Sequence, residues 1–179
     1  WGTSCAAELE GDFAFALWDR GRRTLVAARD FAGPRPLFVG VIQDGLVVAS
    51  SIESIIQHPG FRQELDLAAV GADAAGLIFS SDDRTSYRGI TQLGSAQMLL
   101  WTPGSGPRRS RYWSPSYSGS APTSFNEGAA ELLELLVAST RERFAERGPT
   151  TMWMSGGRDS TSVFAAGQLA IRRGAAGVQ

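Results

Sequence analysis

The stretch that decides the fold of the second half of the chain reads Ser155-Gly156-Gly157-Arg158-Asp159-Ser160. A short apolar run, 151–154, precedes it, and a segment with helical spacing, 161–173, follows it. Adjacent glycines let the backbone turn sharply and approach an anion, and successive amides can then form an anion-binding nest. The positive N-terminal end of the helix strengthens this field. The sequence therefore predicts a strand, a phosphate-binding loop and a helix of an α/β domain.

The polar side chains of this loop fit the same interpretation. Ser155 and Ser160 supply hydroxyl donors. Bare phosphate would repel the Asp159 carboxylate, so we expect Asp159 to hold a magnesium ion that bridges to the phosphates. A structural alternative stays open, because Gly pairs beside Ser also occur in ordinary turns and Asp159 can simply cap the helix. We expect Arg158 to point into solvent rather than to touch phosphate.

Composition excludes several classes of protein. The formal net charge is −1, which leaves no general basic surface for nucleic acid. No apolar run approaches the roughly 20 residues that span a bilayer. The sequence contains no Lys, which excludes a Walker A loop and Schiff-base chemistry by a lysine of this segment. We therefore expect a cytoplasmic protein without nucleic-acid or membrane partners.

The composition of the chain changes near its middle. Residues 114–123 are rich in Ser, Pro and Gly and predict a linker. Ser124 followed by Glu127 is a capping box that opens a long helix. The predicted inner face of this helix consists of Ala130, Leu133, Leu136, Val137 and Thr140. The predicted organisation is a first domain over residues 1–113, a linker over 114–123 and the beginning of a second domain over 124–179.

The first domain is predicted to be rich in strands. Apolar alternation and turn residues place strands at 13–18, 24–28, 37–42, 46–49 and 96–101. Two short helices are predicted behind the capping residues Ser51 and Asp66. We expect the aromatic residues of the strands to lie in the core; they are Phe13, Phe15, Trp18 and Trp101. The three arginines at 108, 109 and 111 are expected in a solvated turn.

Several motifs in order resemble one family, the glutamine-hydrolysing asparagine synthetases, with their β-lactam synthetase and lasso-peptide cyclase branches. The segment 155–160 is similar to the family's Ser-Gly-Gly-x-Asp-Ser pyrophosphate loop. Residues 11–19 resemble its Gly-x-Phe-Ala-Phe-Ala-x-x-Asp strand, and residues 29–37 resemble its Arg-Asp-x-x-Gly-x-x-Pro-Leu stretch. Ala49 and Ser50 resemble the start of its Ala-Ser-Glu segment, although Ser51 stands at the Glu position.

This resemblance implies an internal fragment of a modular amidotransferase. Its first part would be an incomplete α+β N-terminal-nucleophile domain of αββα layers, which frees ammonia from glutamine. Its second part would begin an α/β ATP-pyrophosphatase domain, which uses ATP and Mg²⁺ to activate a small-molecule or peptide carboxylate as an acyl-adenylate with release of pyrophosphate. A homodimer is compatible with the resemblance. The ATP-binding residues would be Met154, Ser155, Gly156, Gly157, Asp159 and Ser160, and Asp159 would also bind the metal.

The resemblance leaves the glutaminase residues outside the sequence. The family's nucleophile is an N-terminal Cys, which we expect upstream of Trp1, because the chain does not begin with Met. Cys5 is not terminal and is not expected to replace it. Two alternatives stay open beside the amide-forming ligase. One is a ring-closing relative that does not use glutamine, and the other is a fragment that binds or assembles without catalysis.

Overall fold

Apolar alternation in the first part of the chain produces two antiparallel sheets. The structure, a computed structural model, describes residues 1–77, 83–116, 119, 121–122, 124–144 and 149–174. The first sheet has the order β1-β2-β6-β7 and the second has the order β4-β3-β5. The strands are β1 (Ala14–Asp19), β2 (Thr24–Arg29), β3 (Phe38–Ile42), β4 (Gly45–Ala49), β5 (Ile90–Gln92), β6 (Gln97–Trp101) and β7 (Arg108–Arg111).

The helices of this part are short. A 3-10 helix, Gly2–Glu8, contacts β2 and buries Ala6. Helix α1 spans Ile52–Ile56 and helix α2 spans Leu67–Ala74. The predicted caps are confirmed, because the Ser51 side chain accepts from the Ser54 amide and the Asp66 side chain accepts from the amides of Ala68 and Ala69. None of the described helices is long and apolar enough to cross a bilayer.

The interior of the first part is divided between two clusters. The cluster between the sheets is built from buried Ala27, Leu37, Val39, Leu93 and Leu99. The other cluster lies between the second sheet and α1, around Ile55, Phe61 and Ile90. Since neighbouring residues of a strand point to opposite faces, β3 contributes to both clusters. Gly40 permits the close approach of α1, because a Cβ there would lie 2.4 Å from Cγ2 of Ile55.

The edge position of β1 corrects the expectation that its aromatic residues are core. β1 pairs with β2 along one side. Trp18 is 43% exposed and Leu17 is 53% exposed. The Trp18 and Trp101 rings contact each other at a tilt of 37°, with their centroids 6.2 Å apart, and Phe13, Phe15 and Trp101 are half-buried. The alternation of apolar residues predicted this strand correctly, but it did not show that β1 is an edge strand.

The second part of the chain forms its own helical unit. The chain divides into the compact units Trp1–Ser116 and Tyr117–Gln179. The predicted linker falls at this division, and its residues 117, 118, 120 and 123 lie outside the described residues. Helices α3 (Phe125–Glu142) and α4 (Arg158–Arg172) pack through Val137, Ala166 and Ala170. The predicted inner face of α3 is confirmed at Val137 and Thr140, which are buried, but it is wrong at Ala130 and Leu133, which are exposed, and Leu136 is half-buried.

An ion pair reinforces the packing of α3 on the end of α4. The Arg173 guanidinium donates to both carboxylate oxygens of Glu134, at 2.8 and 3.1 Å. These hydrogen bonds lower the pKa of Glu134 and raise the pKa of Arg173. Both side chains face solvent, so the ion pair contributes little to the free energy of unfolding and mainly orients α3 and α4 relative to each other.

The predicted strand at 151–154 is wrong. These residues form no ladder with any described part of the chain. Trp153 is 94% exposed and Met154 is 49% exposed. A strand is defined by hydrogen bonds to a neighbour, and the apolar pattern alone does not supply that neighbour.

The N-cap of α3 gives a first test of the helical unit. The Ser124 hydroxyl accepts from the Glu127 amide at 3.2 Å. We expect Ser124→Ala to lower the free energy of unfolding of this unit by about 1 kcal/mol, because the amide loses its partner. Ser139→Ala in the exposed middle of the same helix is the matched control and should be neutral or slightly stabilising. Urea titration followed by far-UV circular dichroism measures both, and equal effects would contradict the cap assignment.

Candidate functional site

The loop at 155–160 leads directly into the N-terminus of α4. Gly156 has a φ of +78°, a left-handed conformation that glycine adopts without a steric penalty. Gly157 is the N-cap, and no described side chain caps the helix. The Thr161 amide donates to the Gly157 carbonyl at 3.2 Å, so the amides of residues 158–160 precede the first intrahelical bond. This end of α4 presents backbone donors of the kind that bind anions.

Two serine hydroxyls hold the loop together. Ser155 and Ser160 approach each other with their Oγ atoms 3.1 Å apart. The Ser155 amide donates to the Ser160 hydroxyl at 3.3 Å, and the Gly157 amide donates to the Ser155 hydroxyl at the same distance. These bonds are long for hydrogen bonds, so an anion with stronger acceptor oxygens can replace them at small cost. The loop brings both predicted hydroxyl donors to one place.

Asp159 lies in the first turn of α4 and is exposed. No described group of three or more His, Cys, Asp or Glu residues forms a metal site. Mg²⁺ typically binds through one or two carboxylates and completes its shell with phosphate oxygens and water. A single exposed carboxylate beside the N-terminus of a helix fits that mode of binding. Arg158 is exposed, as the sequence predicts, and Met154 borders the loop.

A second polar centre lies inside the first unit, at Asp30. Its carboxylate accepts from the amides of Phe13, Ala32 and Gly33, at 3.1, 2.9 and 2.8 Å. Its own amide donates to the Phe13 carbonyl at 3.0 Å, and its carbonyl accepts from the Ala96 amide at 2.9 Å. Asp30 is 1% exposed. The residue therefore joins β1, the loop after β2 and the start of β6.

Arg29 completes this centre. Its guanidinium donates to the carbonyls of Leu93 and Gly33, while its Nε has no partner among the described atoms. Burial lowers the pKa of Arg29, and the Asp30 charge partly opposes the change. The Tyr112 hydroxyl donates to the Arg29 carbonyl at 2.6 Å, and burial together with the Asp30 charge raises the pKa of Tyr112. All these contacts are internal, so we assign the centre to stability rather than to catalysis.

The arginine cluster near the end of the first unit is only partly a solvated turn. Residues 108–111 form β7 beside β6. The Arg109 guanidinium pairs with Asp83 and donates to the hydroxyl of Thr91, and its side chain is 24% exposed. The sequence does not predict this contact, because its partners lie in separate segments of the chain. The spacing of arginines offered no signal of it.

The chain belongs to a family of glutamine amidotransferase domains. The model of that family matches residues 1–113. This match confirms the predicted glutaminase-type α+β fold for the first part of the chain, and the mixed α/β structure with antiparallel sheets agrees with it. Cys5 lies within the 3-10 helix and is half-buried.

Several curated proteins are similar to nearly the whole chain. Asparagine synthetase (glutamine-hydrolyzing) 3 of Bacillus subtilis is 30% identical over 92% of this chain and 26% of its own length. A putative asparagine synthetase (glutamine-hydrolyzing) of Mycobacterium bovis is 33% identical over 96% and 27%. Amidase chry2 of Gibberella zeae is 30% identical over 91% and 24%. The resemblance to asparagine synthetases is thus confirmed, and the chain spans about a quarter of the length of these relatives.

Proposed function

We propose that this chain is part of an ATP-dependent amide-forming ligase that takes its nitrogen from glutamine. Residues 1–113 belong to the glutaminase half, 114–123 are the linker and 124–179 begin the half that binds ATP. In this proposal the acceptor is a small-molecule or peptide carboxylate, the cofactors are ATP and Mg²⁺, and the enzyme works in the cytoplasm. Bound MgATP would supply the adenylyl group that activates the carboxylate, with pyrophosphate as the leaving group.

One observation carries the proposal. An amidotransferase domain over residues 1–113 and a Ser-Gly-Gly-x-Asp-Ser loop at an uncapped helix N-terminus occur in a single chain. The relatives named as glutamine-hydrolysing asparagine synthetases are similar across both parts, since the alignments cover 92% and 96% of the chain. A glycine-rich segment without the amidotransferase domain and the following helix would be better interpreted as an ordinary turn than as a phosphate-binding loop.

Each loop residue has a proposed role. The amides of Gly157 and of the first turn of α4 would bind the phosphates of ATP, and the hydroxyls of Ser155 and Ser160 would add two donors. Asp159 would hold Mg²⁺, and Met154 would border the nucleotide through its backbone. These groups stabilise the charge that develops on the departing pyrophosphate, which is an electrostatic form of catalysis.

Nucleotide binding is tested on the chain itself. Isothermal titration with ATP and MgCl₂ is expected to show binding, and Ser160→Ala should weaken it about tenfold through the loss of a charge-assisted hydrogen bond. Ser162→Ala is the matched control, because the Ser162 hydroxyl donates to the Arg158 carbonyl one turn back in α4, at 2.8 Å, and not to Ser155, Gly157 or Ser160. Asp159→Asn should abolish the magnesium dependence. Equal weakening by both serine variants, or an absence of binding, would count against the proposed site.

Amide formation is tested on the product of the complete reading frame that encodes this sequence. Purified protein with MgATP, candidate carboxylates and either glutamine or ammonium is expected to release pyrophosphate and form an amide from both nitrogen sources. A cyclic product that forms from the substrate without glutamine or ammonium would contradict the proposal and support the ring-closing alternative.

A further inference from the structure

The chain stays fixed to the first unit beyond the end of its last strand. β7 ends at Arg111, and we call the next two residues, Tyr112 and Trp113, the exit segment, because the proposed linker begins directly after them. The Tyr112 amide donates to the Ala96 carbonyl at 3.0 Å, and its hydroxyl donates to the Arg29 carbonyl at 2.6 Å. Two hydrogen bonds thus hold the exit segment, one from the backbone and one from a side chain.

An aromatic pair holds the exit segment one residue further along. The rings of Trp113 and Phe31 contact each other at a tilt of 38°, with their centroids 5.0 Å apart. Phe31 directly follows Asp30 and is the first residue of the loop 31–36. Aromatic pairs at this separation stabilise a structure beyond the area that they bury. The contact joins two residues of the same unit, so it does not depend on what covers the outer faces of the rings.

The loop 31–36 has little freedom to open in parts. It lies between two buried residues, Asp30 and Leu37. The Asp30 carboxylate accepts from two of its amides, at 2.9 and 2.8 Å. Two of its six residues are prolines, whose rings fix the φ angle. A segment with few free dihedral angles between two fixed ends is expected to open as a whole.

The exit segment and the loop meet on one short stretch of backbone, residues 29–31. Tyr112 binds the carbonyl at the start of this stretch, and Trp113 packs on the side chain at its end. Opening of the loop displaces Phe31 from Trp113, and release of the exit segment removes both contacts from residues 29–31. Contacts of this kind make neighbouring segments open cooperatively.

We propose that the loop 31–36 and the exit segment form a strap that opens and closes as one unit and couples the origin of the linker to the buried centre at Arg29 and Asp30. A force on the linker then reaches the amides that Asp30 binds, and the coupling is reciprocal. The strap lies within residues 1–116 and needs neither nucleotide binding nor amide formation, so a failure of the proposed function would leave it untouched.

Native-state hydrogen exchange of the chain tests the coupling from the exit segment to the loop. Trp113→Ala should accelerate exchange at the Ala32 and Gly33 amides about two- to tenfold, the effect of losing one aromatic pair. Trp18→Ala is the matched control, because Trp18 is also 43% exposed and also forms a tilted pair, with Trp101. It should leave both amides at the wild-type rate. Unchanged exchange in a folded Trp113→Ala variant, or equal acceleration by both variants, would overturn the proposal.

Limited proteolysis tests the coupling in the other direction. Chymotrypsin cleaves after aromatic residues, and cleavage after Trp113 requires the exit segment to open. Phe31→Ala should accelerate this cleavage about two- to tenfold, because the rate follows the population of the open form. Cleavage after Trp101 in β6 reports opening of the sheet and should not change. Leu67→Ala removes an exposed apolar side chain from the same unit and should change neither rate. Equal acceleration at Trp101 and Trp113 would show a general loss of stability and would contradict the strap.

Discussion

Replacing Asp30 with alanine is expected to lower the free energy of unfolding of the first unit by about 3–5 kcal/mol, because each buried donor that loses its acceptor costs about 1–3 kcal/mol. The Asp30 carboxylate satisfies three backbone amides, those of Phe13, Ala32 and Gly33. Without it these donors lose their acceptor, and the Arg29 guanidinium stays buried without the neighbouring negative charge.

Two further variants separate the charge from the hydrogen bonds. Asp30→Asn keeps an oxygen for two amides but turns an N–H₂ group toward the Phe13 amide, so we expect a smaller loss than for alanine. Asp19→Ala is the matched control. Asp19 accepts from the Arg22 amide at 3.0 Å in an exposed turn, and its loss should cost below about 1 kcal/mol. Urea denaturation of all three variants measures the differences, and similar costs at positions 30 and 19 would refute the assignment.

Replacing Gly33 with alanine is the second large effect that we expect, at about 2–5 kcal/mol. Gly33 has a φ of +65°, where an L residue costs about 1–2 kcal/mol. A Cβ there would also lie 2.9 Å from Nη2 of Arg29 and 2.9 Å from Cβ of Ser95. Overpacking of this kind adds about 1–3 kcal/mol, because Arg29 is held by the carbonyls of Leu93 and Gly33 and has no room to move.

Gly104 is a matched control for the backbone strain alone. Its φ is +82°, and nothing lies within 4 Å of the position of its Cβ. Gly104→Ala should therefore cost about 1–2 kcal/mol. Thermal unfolding of the two alanine variants measures the difference, which reports the crowding around Arg29. If the two variants lose the same stability, the crowding argument is wrong and the strain accounts for both.

The sequence predicted those elements that carry their own local signal. Alternating apolar residues located β1 to β4 and β6, and short polar side chains located the caps at Ser51, Asp66 and Ser124. It did not predict β5 or β7. β5 has three residues and depends on pairing with β3, and β7 is an arginine-rich segment that depends on pairing with β6. Strands with weak intrinsic propensity form where a neighbour supplies the hydrogen bonds.

The loop at 155–160 and the buried centre at Arg29 and Asp30 differ in how much of each could be predicted from the sequence. The loop at 155–160 is local, so its composition indicated both its turn and its donors. Arg29 and Asp30 were visible only as a family landmark, because their partners are distant in sequence. The Leu93 carbonyl is 64 positions from Arg29, and the Tyr112 hydroxyl is 83 positions from it. Such contacts follow from the topology of the sheets and not from a pattern of neighbouring residues.

The lack of a side chain at Gly40 also determines the register of β3 in the second sheet. Val39 fills the space between the sheets, while Gly40 makes room for Ile55. A slip of β3 by one position would turn every side chain to the opposite face. Valine would then collide with Ile55, and the inter-sheet space would be left empty at the glycine. The absence of a Cβ at Gly40 thus permits the observed register of β3. A register shifted by one residue is destabilised both by the clash of valine with Ile55 and by the empty space at the glycine.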